Sequence, residues 1–413
     1  MRTTIISTGD ELLAGAVTDT NARWMAARFS EIGFEVGRME TVGDDIDRIA
    51  AVLRRGFSDS DLLVVSGGLG PTDDDVTARA AALAIDAPIT RNAEAEDVIR
   101  AAFERLNRNP DPVNLRQADL PRDCRVLRNR LGSAAGFVID SGSCVAYFLP
   151  GVPSELRGMF DEHVAPALPR LAGGVPPLVF RCFGAGESDL QSILNSLLSK
   201  YPVLKASFLV IHPEVNITLT GFGEDLRHDI REEASALLGR AVFAEEAVDL
   251  PTALGRELAA AGLTIGCAES CTGGLIGHSI TRVAGSSAWF RGGVVAYSND
   301  LKTSLLGVPR SLIDRHGAVS EETARAMAAG ARERLGCDLA LATSGIAGPG
   351  GGGTGKPVGL VHAALAHPRG TEHASRVFAG YDRSGVKRAA AWTVMLLALR
   401  WTAGTEPGGF EER

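Results

Sequence analysis

Between Ala268 and Lys302 the chain reads AESCTGGLIGHSITRVAGSSAWFRGGVVAYSNDLK, a run rich in small hydroxyls, glycines, a tyrosine and a lysine. A serine and a lysine on neighbouring elements form a nucleophile and base with no histidine needed. The lysine serves only if desolvation or nearby cations lower its pKa from about 10.4. Ser270, Cys271 and Thr272 fall between an apolar run, Leu263 to Cys267, and the helical spacing of Leu275, Ile276 and Ile280. A strand-to-helix turn there points N–H groups and hydroxyls outward, which suits an anion or a developing oxyanion. Cys271 in that turn is a candidate thiol if it is exposed. The plainer readings are that Ser286 or Ser287 is a helix N-cap and that Lys302 is a solvated helix lysine.

A second cluster lies near the N-terminus. Gly67, Gly68, Gly70, Thr72, Asp73, Asp74 and Asp75 follow the apolar run LLVVS and open an alanine-rich helix. That places glycine amides and three carboxylates at the carboxyl edge of a parallel sheet, where such folds bind ligands. Asp10 and Glu11 end the first strand and should share that edge, and carboxylates there suit a divalent metal bridged to a phosphate. The plainer reading is N-capping by Thr72 and Asp73. Gly350 to Lys356 matches G-x-x-x-x-G-K, but Pro357 stands where a P-loop needs Ser or Thr. The residues after Pro357 have a β-like pattern instead of a helical one, so a nucleotide triphosphatase is rejected. The loop is left as a phosphate cradle or a surface loop.

The elements that position these residues alternate. Strand and helix patterns follow one another through residues 1–170, which implies a doubly wound parallel sheet. Residues 171–178, LAGGVPPL, read as a linker. Residues 171–250 form a small α+β module with no Gly-x-x-Gly loop, and residues 251–413 a third, α/β unit. The final dozen residues read as frayed. The 413 residues carry a net charge of −8, which argues against a general nucleic-acid binder. No Cys-x-x-Cys pair occurs among the six cysteines, which disfavours zinc. No apolar run nears the roughly 20 residues of a membrane span, and no signal peptide is evident, so a cytoplasmic location is expected.

Taken together and in order, these motifs resemble the CinA (competence/damage-inducible protein A) family over nearly the whole chain. GDELLAGAVTDTN (with Asn21), VSGGLGPTDDDVT and LPGVPSE are similar to its molybdopterin-binding-like domain. AESCTGG, GSSAWFRGGVVAYSNDLK, GAVSEETA, SGIAGPGGG and GKPVG are similar to its nicotinamide mononucleotide deamidase domain. The resemblance implies hydrolysis of the carboxamide of nicotinamide mononucleotide to nicotinate mononucleotide and ammonia, without a cofactor. It implies Ser287 as nucleophile, Lys302 as base and Tyr297 as an orienting group. Ser270, Thr272, Gly273, Gly274, Ser344, Gly345 and Arg383 would bind the substrate. It further implies a homodimer, and an N-terminal pocket associated in some members with metal-dependent hydrolysis of ADP-ribose. Three hypotheses stand: the amidohydrolase, the ADP-ribose pyrophosphatase, and a non-catalytic pterin- or nucleotide-binding protein linked to competence.

Overall fold

The computed structural model describes residues 1–32, 34–170 and 175–404. The expected linker therefore lies partly, and the expected frayed tail mostly, outside the described residues. Among the described residues no helix is long and apolar enough to cross a membrane. The chain divides into two compact units, Met1–Pro177 and Leu178–Arg413.

The first unit is built on β1 (Thr3–Thr8), β2 (Val36–Val42), β3 (Leu62–Ser66), β4 (Ile89–Arg91), β5 (Asp119–Pro121), β6 (Arg125–Leu127), β7 (Gly136–Asp140) and β8 (Val145–Leu149). Its main sheet runs β2-β1-β3-β8-β7-β6. β1 and β3 are buried along their whole length, as strands covered on both faces must be. The helix Ile46–Asp59 shows how the cover forms. Asp45 caps it by accepting from the Arg48 N–H, and Ile49, Ala50 and Leu53 turn inward. The expected parallel sheet holds from β2 to β8. Beyond β8 the pairing is antiparallel. The reason is the connection: residues 141–144 between β7 and β8 are too few for a crossover, which needs about a dozen.

The second unit opens with β9 (Leu178–Phe183), β10 (Lys205–Ile211), β11 (Glu214–Thr220) and β12 (Val242–Ala244), an antiparallel sheet in the order β10-β11-β9-β12. This is the expected α+β module, but it does not stand apart. Trp392 Nε1 donates to Glu214, and Arg388 Nη1 donates to the His212 carbonyl at 3.0 Å. The module and the residues after it therefore form one compact body.

The remaining sheet contains β13 (Ile265–Glu269), β14 (Phe290–Val295), β15 (Leu339–Gly345), β16 (Leu360–His367) and β17 (Gly370–Val377), in the order β14-β13-β15-β16-β17. β14, β13 and β15 are parallel, while β16 and β17 are antiparallel. On one side Leu254 and Leu258 from the helix Leu250–Ala261 meet Val394 and Leu397 from the helix Arg383–Thr402. On the other side Ala324, Met327 and Ala328 of the helix Glu321–Leu335 pack against Ala340 and Ala342. The register sets Glu269 beside Val295 and Thr343, so the carboxyl ends of three parallel strands finish together. The candidate site lies beyond those ends.

Candidate active site

Ser270 is the first residue past β13, and its N–H donates to the Thr343 carbonyl at 3.0 Å. From β14 the chain continues through Ala296 and Tyr297 into the helix Asn299–Leu306. Ser298 caps that helix by accepting from the Leu301 N–H. Lys302, near its start, folds back over the strand ends and is 1% exposed. Its Nζ lies 3.1 Å from Ser270 Oγ, 3.1 Å from the Ala296 carbonyl and 3.3 Å from the Tyr297 carbonyl. Burial lowers its pKa from the ordinary lysine value. Two carbonyls and one hydroxyl suit a neutral amine well. Such an amine donates two protons to the carbonyls and keeps a lone pair for the Ser270 hydroxyl.

Lys302 meets Ser270, and not the expected nucleophile Ser287. Ser287 sits in a short 3₁₀ turn, Ser286–Ala288, ahead of β14, and is exposed. Lys302 comes after β14 has ended. The six residues of that strand span roughly 20 Å, so Ser287 and Lys302 are set toward opposite ends of the sheet. Tyr297, the expected orienting group, reaches Lys302 through its backbone and not through its phenol. Its carbonyl holds the amine, while its phenol, 60% exposed, accepts from Arg383 Nη2 at 3.1 Å.

Around the pair is an open cleft of about 280 Å³, lined by Ser270, Cys271, Tyr297, Lys302, Ser344, Gly345, Arg383 and the loop Gly348–Gly351. Arg383 stands at the start of its helix, which Asp382 caps, and its Nη1 donates to the Gly348 carbonyl at 2.6 Å. Ser344 Oγ donates to the Ala318 carbonyl at 2.6 Å, fixing the opposite wall. Three expected binding residues lie behind the cleft. Thr272 is fully buried with its hydroxyl 2.8 Å from that of Thr343. The Gly274 N–H donates to Glu269, and neither it nor Gly273 lines the space. Cys271 is buried, and desolvation pushes its thiol up to about 12, so it is not a thiolate near neutrality. Sequence did not single out two residues beside the site. Glu269 ends β13 behind the turn, and Lys387 lies one helical turn beyond Arg383 with its ammonium beside Gly273.

The glycine run ahead of Lys356 forms a tight Gly353–Lys356 bridge with no helix after it, consistent with the rejected P-loop. Lys356 Nζ instead donates at 2.7 Å to the carbonyls of His316 and Val319, bracing the Ala318–Val319 wall.

In the first unit, Glu11, Gly67, Gly68, Gly70, Asp74 and Asp75 line a cleft of about 390 Å³, together with Asp44, which the sequence did not single out. Burial, with Asp10, Glu11 and Asp74 close by, raises the Asp44 pKa. Gly67 and Gly68 have φ of +105° and +66°, and a Cβ on Gly68 would stand 2.2 Å from Thr77 Oγ1. Thr72 lines an adjoining hollow of about 280 Å³ and donates to Asp75 instead of capping a helix. Asn21 and Asp10 serve the frame. Asn21 Nδ2 donates to Ser66 Oγ at 3.1 Å and to the Gly151 carbonyl at 2.7 Å. Asp10 Oδ1 accepts from the Asp44 N–H at 3.2 Å. Among the described residues no three His, Cys, Asp or Glu side chains are placed to hold one metal ion, so the carboxylates of this cleft do not by themselves make a three-ligand cage.

Comparison with known proteins adds sequence-wide evidence. A model of the CinA C-terminal domain matches residues 248–401, and a model of a probable molybdopterin binding domain matches residues 4–170. A CinA-like protein from Citrifermentans bemidjiense is 41% identical over 417 residues, covering 99% of this chain and 100% of its own length. One from Geobacter sulfurreducens is 44% identical over 410 residues, covering 97% and 98%. The solved structure of the protein CinA from Thermoplasma acidophilum is 31% identical, covers 40% of this chain and 98% of its own, and has a TM-score of 0.38.

Proposed function

Since the chain belongs to the CinA family, we propose that its second unit is a Ser/Lys amidohydrolase acting on the carboxamide of nicotinamide mononucleotide. The observation that carries this reading is the contact between a buried lysine amine and a serine hydroxyl at the floor of an open cleft. Neutral Lys302 takes the Ser270 proton as Oγ attacks the amide carbon. The tetrahedral intermediate collapses, Lys302 returns the proton to the leaving nitrogen, and ammonia departs. Water, deprotonated by Lys302, then cleaves the Ser270 ester and releases nicotinate mononucleotide. Arg383 and the amides of the Gly348–Gly351 loop supply positive charge for the 5′-phosphate.

The test is ammonia release from nicotinamide mononucleotide in the presence of EDTA. Ser270→Ala should lose activity by at least about 10³-fold and Lys302→Ala by about 10²–10⁴-fold. Ser287→Ala should stay within a few-fold of wild type. Full loss in Ser287→Ala with activity kept in Ser270→Ala would refute the assignment. For the first unit we propose a nucleotide-like ligand in the glycine-walled cleft. Metal-dependent cleavage of ADP-ribose draws no support from the donors present there.

A further inference from the structure

Glu269 is the last residue of β13, and at 1% exposure its carboxylate is wholly inside the protein. Its side chain turns against the start of the next helix, Leu275–Thr281. Oε2 accepts the N–H groups of Gly274 at 2.9 Å and Ile276 at 3.1 Å, and Oε1 accepts that of Gly277 at 2.9 Å. The Cys267 thiol donates to the same Oε1 at 3.6 Å. Among the described residues no lysine, arginine or histidine pairs with it. An isolated carboxylate is expensive to bury, and here three backbone donors and the positive end of a helix stand in for a counter-ion.

This arrangement has a chemical consequence. The donors at which an oxyanion or phosphate was expected, those opening the helix, already belong to Glu269. Glu269 grips the far side of the turn through the N–H groups of Gly274, Ile276 and Gly277, while the Thr343 carbonyl holds the Ser270 N–H. Ser270 lies between these two anchors. We propose that Glu269 is a positioning residue: its carboxylate locks the turn so that Ser270 Oγ meets the Lys302 amine. It touches neither substrate nor reacting atoms. The proposal rests on the reading of Ser270 as nucleophile, but not on the identity of the amide substrate.

Glu269→Gln tests it at constant size. A carboxamide accepts through one oxygen only, and its NH₂ would face a donor where Oε1 or Oε2 now accepts. Two readouts apply. The first is labelling of Ser270 by a fluorophosphonate, in which Oγ bonds to phosphorus, the P–F bond breaks, the proton goes to Lys302 and fluoride leaves. The second is the split of kcat from KM in ammonia release. Both are run well below the melting temperature, with near-UV circular dichroism confirming the fold. Glu269→Gln should slow labelling and kcat in parallel by about 10²-fold with KM nearly unchanged, as expected for a misplaced nucleophile. Glu269→Asp, which keeps the charge but shortens the reach, should fall between. Glu269→Gln labelled at the wild-type rate, whatever its melting temperature, would overturn the proposal. Wild type with labelled Ser270 but no ammonia release would sink the substrate assignment alone, and the Glu269 comparison would still stand on labelling. Wild type unlabelled at Ser270 would overturn the nucleophile and the positioning role together.

Discussion

At Lys302 burial and the proposed chemistry pull the same way. Burial disfavours its charged form and lowers its pKa, and the proposed base needs that loss of charge. The folded chain therefore sheds this proton at a lower pH than the unfolded chain. The burial penalty is present in full below the folded pKa and is relieved as pH rises toward the unfolded value near ~10.4. Activity follows the neutral amine, so kcat/KM should rise with pH to a plateau whose midpoint lies below the ordinary lysine range. Lys302→Arg should abolish this limb and lower the rate by about 10²–10⁴-fold at every pH, because a guanidinium does not give up its proton. A pH–rate profile of both proteins checks this, and a midpoint at the ordinary lysine value would contradict a buried base. Lys302 was legible in the sequence as the basic member of the cluster. Its partner was not, because Ser270 and Ser287 flank strands at similar turns, and local pattern does not reveal which sheet edge a turn ends on. The parallel register of Glu269 with Val295 decides it.

Among elements, the site depends on how closely two helices approach. A Cβ added at Gly330, in the helix Glu321–Leu335, would stand 1.8 Å from the Leu306 carbonyl at the end of the helix that carries Lys302. Gly330→Ala must push these helices apart. It should cost about 1–3 kcal/mol and lower the amidase rate through Lys302, although neither residue touches the cleft. Calorimetry beside the ammonia assay checks both effects, and an unchanged melting temperature would show that the crossing tolerates a methyl group. The alternation of strands and helices announced both α/β sheets, because a buried parallel strand reads as an apolar run. The antiparallel edges were less visible. They depend on connection length, and β16 and β17 are joined by only two residues, 368 and 369.

At the scale of the molecule, every residue of the candidate cleft belongs to the unit Leu178–Arg413. A fragment starting at 178 should fold and keep ammonia release within a few-fold of the full chain. A fragment starting at 251, the boundary that composition suggested, should be less stable. It strips Glu214 from Trp392 and the His212 carbonyl from Arg388, and removes Phe183 and Leu250 from the core that holds Leu254. Thermal melts of the two fragments decide, and equal stability would show that the antiparallel module is dispensable. Composition located the module, but not which neighbour it joins. That is set by long-range contacts such as Trp392 to Glu214, whose members lie far apart in the chain.

The hydrogen bond between Arg383 and the exposed Tyr297 phenol spans the cleft, so the guanidinium already has a companion before any guest arrives. An incoming anion competes with that phenol for the same N–H. Measured affinity then reports the difference between two bonds, not the strength of one. Weak ground-state capture combined with easy product escape suits the proposed reaction, which releases an acid more highly charged than the amide it accepted.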